Sequence, residues 1–159
     1  MRIIGIDPGT AITGFSIIEN KNGEIKLLDY GCIRTPAGMR PAKRLHQIAL
    51  DMEKIIKQWR PQRASIEKLF FNKNVTTAMS VSQARGVILQ KLTENDIEED
   101  EFTPLQIKSA VCGHGGADKK MVQKMVQIIL GLKNIPKPDD AADAIAAALC
   151  LAQSIKFRK

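Results

Sequence analysis

The first third of the chain alternates short apolar runs with polar turns, a pattern typical of β-strands. Ile3, Ile4 and Ile6 form an almost continuous apolar run, as expected for a strand that is buried on both faces. Apolar-rich runs follow over residues 12–19 and 24–34, and the Asn-Gly pair between them is a strong hairpin signal. Three successive strands joined by short turns predict an antiparallel half-sheet.

From residue 41 onward the spacing becomes helical, with two short strands between the helices. Apolar side chains fall on one side of a helix over residues 41–59. Strands are predicted at 63–67 and within the acidic stretch 96–102, and helices at 75–94, from Thr103 to Gly113, at 121–130 and finally up to about residue 155. This mixture of strands and helices predicts an α/β fold.

Two of the predicted helices begin with informative residues. Thr103 is a favourable N-cap, and Pro104 fits the first helical position. In the helix that Asp118 opens, Lys119 and Lys120 lie in the first turn, where cations oppose the helix dipole. That placement indicates an anion near these lysines.

The composition favours one basic domain in a reducing compartment. A single domain over residues 1–159 is expected for this length. The net charge of +7, from 24 basic against 17 acidic residues, favours a polyanionic partner such as nucleic acid. Cys32, Cys112 and Cys150 are too far apart in sequence to indicate a disulfide framework or a zinc site. We see no signal peptide and no membrane-spanning segment, so a cytoplasmic protein is expected.

The segment after the fourth predicted strand concentrates the few aromatic residues of the chain. Phe70 and Phe71 are two of only seven aromatic residues, and Lys68 and Lys73 flank them. Adjacent side chains of an extended segment point in opposite directions. We therefore expect one phenylalanine in the core and the other exposed.

Acidic residues appear at the ends of two predicted strands and at the start of the last helix. Asp7 ends the first strand before a forced Pro-Gly turn, and Glu67 ends the fourth. Asp140 and Asp143 are three residues apart, so they share one face of the alanine-rich last helix. Taken singly, each has an ordinary explanation, because aspartate is common in turns and in the first turn of a helix.

Together, these acids predict a metal centre. Ligands bind at the carboxyl ends of strands in α/β sheets. Four clustered carboxylates could not all stay ionised without cations, and oxygen ligands without histidine or cysteine suit Mg²⁺ or Mn²⁺. Two such ions about 4 Å apart could activate a water and stabilise the leaving oxygen of a phosphodiester. An acidic metal centre in a basic protein favours a nuclease.

Five motifs occur in the order found in one known family. They are Gly5-Ile6-Asp7-Pro8-Gly9-Thr10, Ile66-Glu67 followed by Phe70, Gln83-Ala84-Arg85-Gly86, Gln106-Ile107-Lys108, and Asp140-Ala141-Ala142-Asp143-Ala144. With this ordered set the chain resembles RuvC-type Holliday-junction resolvases of the ribonuclease-H-like superfamily. The resemblance implies a mixed five-stranded sheet, with three antiparallel strands followed by parallel strands, flanked by helices.

The resemblance also implies the function. Such an enzyme is a homodimer that binds four-way DNA junctions in recombination and repair. It makes paired symmetric nicks by metal-dependent hydrolysis and leaves 5′-phosphate and 3′-hydroxyl ends. Two Mg²⁺ ions per subunit are implied as cofactors, with Mn²⁺ as a substitute. Whether a branch-migration complex of the RuvA/RuvB kind is engaged stays open.

Individual residues take roles from the matched motifs. The implied catalytic and metal-binding residues are Asp7, Glu67, Asp140 and Asp143. Phe70 takes the place of the aromatic that probes the junction, with Phe71 beside it and Lys73 at a phosphate-contacting position. Lys108 and Lys119 match basic residues near the scissile phosphate.

Two features of the sequence leave questions for the structure. Asp139 is an additional acid next to the matched pair, but only Asp140 and Asp143 keep the three-residue spacing. Gly86 lies inside a predicted helix, where it costs about 1 kcal/mol relative to alanine. A close approach by another helix or chain would account for it, and the resemblance places this helix at a dimer interface.

The motifs leave one functional alternative open. A relaxed, structure-selective endonuclease of the same fold, as in phage branch-cutting enzymes, would carry the same acids. An actin-like nucleotide-binding domain is disfavoured because no adenosine-binding motif is recognisable. A DNA-binding protein without nuclease activity is disfavoured because the complete acid set would oppose DNA binding.

Overall fold

The computed structural model describes residues 1–69 and 75–157, with side chains except at 75–77 and 156–157. The strands are β1 (Arg2–Asp7), β2 (Ile12–Lys21), β3 (Glu24–Arg34), β4 (Arg63–Glu67) and β5 (Glu98–Phe102). The helices are α1 (Pro41–Trp59), α2 (Val75–Glu94), α3 (Pro104–Cys112), α4 (Lys119–Ile129) and α5 (Asp139–Phe157). No helix in these ranges has the length and apolar character needed to cross a membrane.

The strands form one mixed sheet with β1 at its centre. Their order is β3-β2-β1-β4-β5. The pairs β1–β2 and β2–β3 are antiparallel, whereas β1–β4 and β4–β5 are parallel. The predicted sheet of three antiparallel strands followed by parallel strands is therefore confirmed.

Helices cover both faces of the sheet, which explains the apolar run of β1. Ile3 packs into a core with α3, α4 and α5, whereas Ile4 and Ile6 pack into a second core with α1 and α2. All three side chains have no exposed surface. Alternate residues of β1 thus point to opposite faces, and the odd-numbered ones point to α5.

Helix α5 lies unusually close to the sheet because small residues line both surfaces. A Cβ atom built on Gly5 would overlap the carbonyl oxygen of Ala144, and one built on Gly14 would overlap that of Asp140. The facing part of α5 consists largely of buried alanines. The helix backbone can therefore approach the strands to a distance that larger side chains would not permit.

Two buried serines link α5 to the sheet. Ser16 Oγ donates to the carbonyl oxygen of Ala144 at 3.0 Å, and Ser65 Oγ donates to that of Ala147 at 2.6 Å. Both serines are fully buried, so these hydrogen bonds satisfy polar groups that would otherwise be costly in the core. Because they join β2 and β4 to the same helix, they fix the position of α5 along the strands.

Most element bounds agree with the sequence predictions, and the capping at Thr103 is confirmed. The backbone N–H of Gln106 donates to Thr103 Oγ1 at 3.1 Å, and the Thr103 N–H donates to Gln106 Oε1 at 2.8 Å. Differences are confined to ends of elements. Strand β2 continues to residue 21, α4 ends at residue 129 rather than 130, and α5 continues to residue 157. Asp118 is the N-cap of α4, so Lys119 and Lys120 lie in its first turn as predicted.

Gly86 has open space around it in the described part of the chain. It is exposed, and no atom of another element lies within 4 Å of a Cβ atom built on it. Among the described residues, therefore, no other helix explains the glycine at this position.

Replacing Gly5 with alanine should destabilise the protein by about 2 kcal/mol or more, because the new methyl group would push α5 away from β1. The matched control is Gly38→Ala, at an exposed glycine with open space around it, which should leave stability unchanged or raise it by up to about 1 kcal/mol. Urea unfolding of both variants measures the two changes. Equal stability of Gly5→Ala and wild type would contradict the close packing described for α5.

Candidate active site

Two of the four predicted acids lie side by side at the carboxyl edge of the sheet. Asp7 is the last residue of β1 and Glu67 is the last residue of β4, and these neighbouring strands are parallel. Both side chains point to the face that α5 covers. Asp7 is also paired with Gly14 of the neighbouring strand β2. The Cα atom of Gly14 faces the backbone of Asp140. The first turn of α5 is therefore brought against the same edge.

The electrostatics of Asp7 show that all four acids lie close together. Burial raises the pKa of its carboxyl to about 8, and the negative charges of Glu67, Asp143 and Asp140 add to the rise. The nearby Lys119 ammonium acts in the opposite direction. The structure therefore brings the four carboxylates into one cluster, which we call the acidic cluster.

Two other members of the acidic cluster are also perturbed. Burial and the charge of Asp143 raise the pKa of Glu67, while Lys108 and Lys119 oppose the rise. Burial raises the pKa of Asp143, against the effect of its ion pair with Lys119. Both lysines therefore lie near enough to stabilise negative charge in the cluster.

Lys119 makes direct ion pairs at the entrance of the acidic cluster. Its Nζ lies 3.1 Å from Asp143 Oδ2 and 3.5 Å from Asp139 Oδ2. The anion that its first-turn position predicts is thus supplied by α5 itself. The side chain of Asp139 is 59% exposed against 29% for Asp143, so Asp139 lies outside the cluster. Asp140 and Asp143, rather than Asp139 and Asp143, face the other acids.

A shallow cleft connects the acids with the lysines. A hollow of about 240 Å³ is lined by Glu67, Lys108, Lys119 and Asp143, with Pro104, Ile107, Val122 and Ala146 forming its apolar parts. A second hollow of about 220 Å³ is lined by Asp7, Pro8, Glu67, Lys68, Leu69 and Pro104. Since Glu67 and Pro104 belong to both, the two hollows adjoin along the carboxyl edge of the sheet.

The donors of the acidic cluster suit a hard divalent cation, although the ligand geometry is not assembled. Carboxylate oxygens are the groups that Mg²⁺ and Mn²⁺ prefer, and mutual repulsion among the acids favours a bound cation. Within the described residues, no three acidic, histidine or cysteine side chains converge closely enough to hold one metal ion. Repulsion among the acids favours such a separation, and Asp143 is already paired with Lys119. Holding one ion would therefore require the side chains to draw together.

One neighbour of the cluster was not predicted from the sequence. Cys32 on β3 pairs with Gly14 and lies beside the start of α5. Burial and the charge of Asp140 raise the pKa of its thiol, against the opposing effects of Arg34 and of the Ala141 backbone. Cys32 lies beside the start of α5 because the β2–β3 register pairs it with Gly14. That register cannot be read from a single sequence.

The remaining predicted site residues divide into two groups. Lys108 and Lys119 lie in the cleft, as described above. Phe70, Phe71 and Lys73, predicted to contact DNA, lie outside the described residues.

Comparisons with known proteins identify one family. The family model described as crossover junction endodeoxyribonuclease RuvC matches residues 3–151. A protein of that name from Chloroflexus aurantiacus is 52% identical over 150 residues, covering 94% of this chain and 92% of the relative. Another from Heliobacterium modesticaldum is 50% identical over 157 residues, covering 99% and 97%.

Solved structures agree with these relatives. RuvC from Thermus thermophilus matches with a TM-score of 0.91 and 32% identity, covering 99% of this chain and 97% of that one. The same protein in complex with a Holliday junction substrate matches with a TM-score of 0.94 and 31% identity, covering 99% and 96%. The yeast mitochondrial Holliday junction resolvase, at 12% identity and a TM-score of 0.66, shares the fold.

The raised pKa of Asp7 predicts how stability depends on pH in the absence of divalent ions. At pH values between the usual pKa of aspartate and about 8, Asp7 is protonated in the folded state and ionised in the unfolded state. Its contribution therefore lowers the free energy of unfolding as pH rises through this range. Asp7→Asn removes that contribution. We expect the variant to be more stable than wild type by about 1 to 3 kcal/mol at pH 8.5, with the difference vanishing near pH 4.

Urea unfolding in EDTA at both pH values measures this difference. Glu99→Gln, at an exposed position of β5, is the matched control and should behave like wild type at both pH values. Equal stability of Asp7→Asn and wild type at pH 8.5 would show that Asp7 is not held among other negative charges.

Proposed function

The chain belongs to the RuvC family of crossover junction endodeoxyribonucleases, and we propose that its acidic cluster is the site at which it cuts four-way DNA junctions. The observation that carries the proposal is the meeting of Asp7, Glu67, Asp140 and Asp143 at the carboxyl edge of the sheet. An enzyme of this family is a DNA hydrolase that depends in general on divalent metal. The Thermus thermophilus relative was solved with a Holliday junction, which supports the same substrate for this chain.

The acidic cluster would hold two Mg²⁺ ions, and Mn²⁺ would replace them. Bound divalent ions supply an activated water and charge for the leaving oxygen, as in other nucleases with paired metal sites. The four carboxylates would hold these ions, and their negative charge would attract them. Hydrolysis would leave a 5′-phosphate and a 3′-hydroxyl, ends that a ligase can join.

Lys108 and Lys119 would bind the phosphate next to the scissile bond. Both ammonium groups line the same hollow as Glu67 and Asp143. Without such cations, the acidic cluster would repel the DNA backbone. The two lysines therefore offer the substrate a positive contact within an otherwise acidic cleft, and the net charge of +7 favours binding of DNA over the wider surface.

Phe70, Phe71 and Lys73 would contact the branch point of the junction. This role rests on the family motif, because all three lie outside the described residues. A phenylalanine can stack on bases or wedge between them where strands separate. The motif therefore supports recognition of an opened junction.

A second copy of the chain would supply the second site. On α2, the Met79 side chain is 64% exposed and the space around Gly86 is open. Both features suit a helix that meets its symmetry mate, and a two-fold dimer would present two acidic clusters for paired symmetric nicks. We further propose that the dimer works in the cytoplasm with a branch-migration complex of the RuvA/RuvB kind.

Asp7→Asn should abolish cutting of a synthetic four-way junction in Mg²⁺ while junction affinity stays within about threefold of wild type, because the acid holds metal rather than DNA. Gel shifts in EDTA measure binding, and strand-labelled cleavage measures the reaction. Glu24→Gln, in the exposed hairpin far from the cleft, is the control and should cut normally. Cutting by Asp7→Asn at the normal rate would overturn the proposed site.

A further inference from the structure

Asp139 is an acid that the proposed function leaves without a role. It is the first residue of α5, and its side chain is largely exposed, outside the acidic cluster. Its Oδ1 accepts a hydrogen bond from Gln123 Nε2 at 2.9 Å, and its Oδ2 lies 3.5 Å from Lys119 Nζ. Both partners belong to α4, one turn apart. Asp139 is therefore held against the helix that carries Lys119.

Asp139 and Asp143 share Lys119 between them. The two aspartates are one turn apart on α5, and Lys119 Nζ lies within ion-pair distance of both. The shorter distance, 3.1 Å, is to Asp143 inside the cluster. The ammonium thus has an inner and an outer carboxylate partner within reach of the same side chain.

Metal binding would change the balance between these partners. If Asp143 held a divalent cation, its negative charge would be neutralised and the ammonium of Lys119 would be repelled. If Asp143 were its only partner, Lys119 would compete with the metal for the same oxygens. Asp139 offers the Lys119 ammonium a second carboxylate partner, and pairing with it would keep the ammonium in the cleft.

We propose that Asp139 is a positioning residue that holds Lys119 at the rim of the acidic cluster when Asp143 turns to a divalent cation. The inference rests on the proposed metal site and adds a residue to it. Asp139 itself would contact neither metal nor DNA and would act through Lys119. Gln123 fixes the carboxylate that receives the ammonium, so Lys119 remains directed toward the phosphate-binding hollow.

A double-mutant cycle on Mn²⁺ binding tests the proposal. Free Mn²⁺ is measured by electron paramagnetic resonance during titration of wild type, Asp139→Asn, Lys119→Met and the double variant. We expect Asp139→Asn to weaken Mn²⁺ binding about two- to fivefold in the wild-type background, the range for a partly exposed ion pair. In the Lys119→Met background the same substitution should change binding by less than about 1.5-fold.

Two further variants distinguish positioning from general charge. Asp139→Glu keeps a carboxylate and should restore most of the affinity that Asp139→Asn loses. Lys120→Met removes the neighbouring exposed cation and should leave the effect of Asp139→Asn intact. Equal losses from Asp139→Asn with and without Lys119 would overturn the proposal, because Asp139 would then act through its own charge. The absence of any loss in the wild-type background would overturn it as well.

Asp7→Asn separates this inference from the proposed function. If Asp7→Asn abolishes Mn²⁺ binding while Asp139→Asn leaves it unchanged, the metal site stands and only the role of Asp139 fails. If wild type does not bind Mn²⁺, or Asp7→Asn binds it equally well, the metal site fails and the role of Asp139 fails with it.

Discussion

The close contact between α5 and the sheet is the constraint on which the rest of the structure depends. Gly5 and Gly14 leave room for the helix backbone, and Ser16 and Ser65 bond to its carbonyl groups. Because the helix lies this near, its first turn reaches the carboxyl edge of the sheet beside Asp7. The packing that stabilises the core therefore also brings together acids that are more than 130 residues apart in sequence.

That packing places negative charges where they repel one another. The pKa of Asp7 rises to about 8 because burial and three other carboxylates all disfavour its ionised form. Lys119 relieves part of this repulsion through its ion pair with Asp143. Cations can therefore relieve the repulsion among these acids, and the net charge of +7 of the chain can attract a polyanion. Both properties suit a metal-dependent nuclease that acts on DNA.

Local patterns predicted the elements well, whereas contacts between distant segments needed the structure. The apolar spacing of α1 and the acidic end of β4 predicted bounds that agree with the structure. The ordered motifs predicted the family and the enzyme class, and both are confirmed. The position of Cys32 and the sharing of Lys119 between Asp139 and Asp143 depend on strand register and helix placement, which the sequence does not encode locally. A single domain over residues 1–159, the DNA contacts and the metal ligands remain predictions.

The most direct test is cleavage of a synthetic four-way junction, labelled on each strand in turn, in Mg²⁺ and in EDTA. We predict paired nicks at symmetric positions in Mg²⁺, none in EDTA, and products that a ligase can seal. Cutting in EDTA would contradict the claim that the acidic cluster works through divalent cations. Scattered cutting of any branched DNA would instead indicate a relaxed nuclease, and junction binding without cutting in Mg²⁺ would show that the acidic cluster is not a catalytic site.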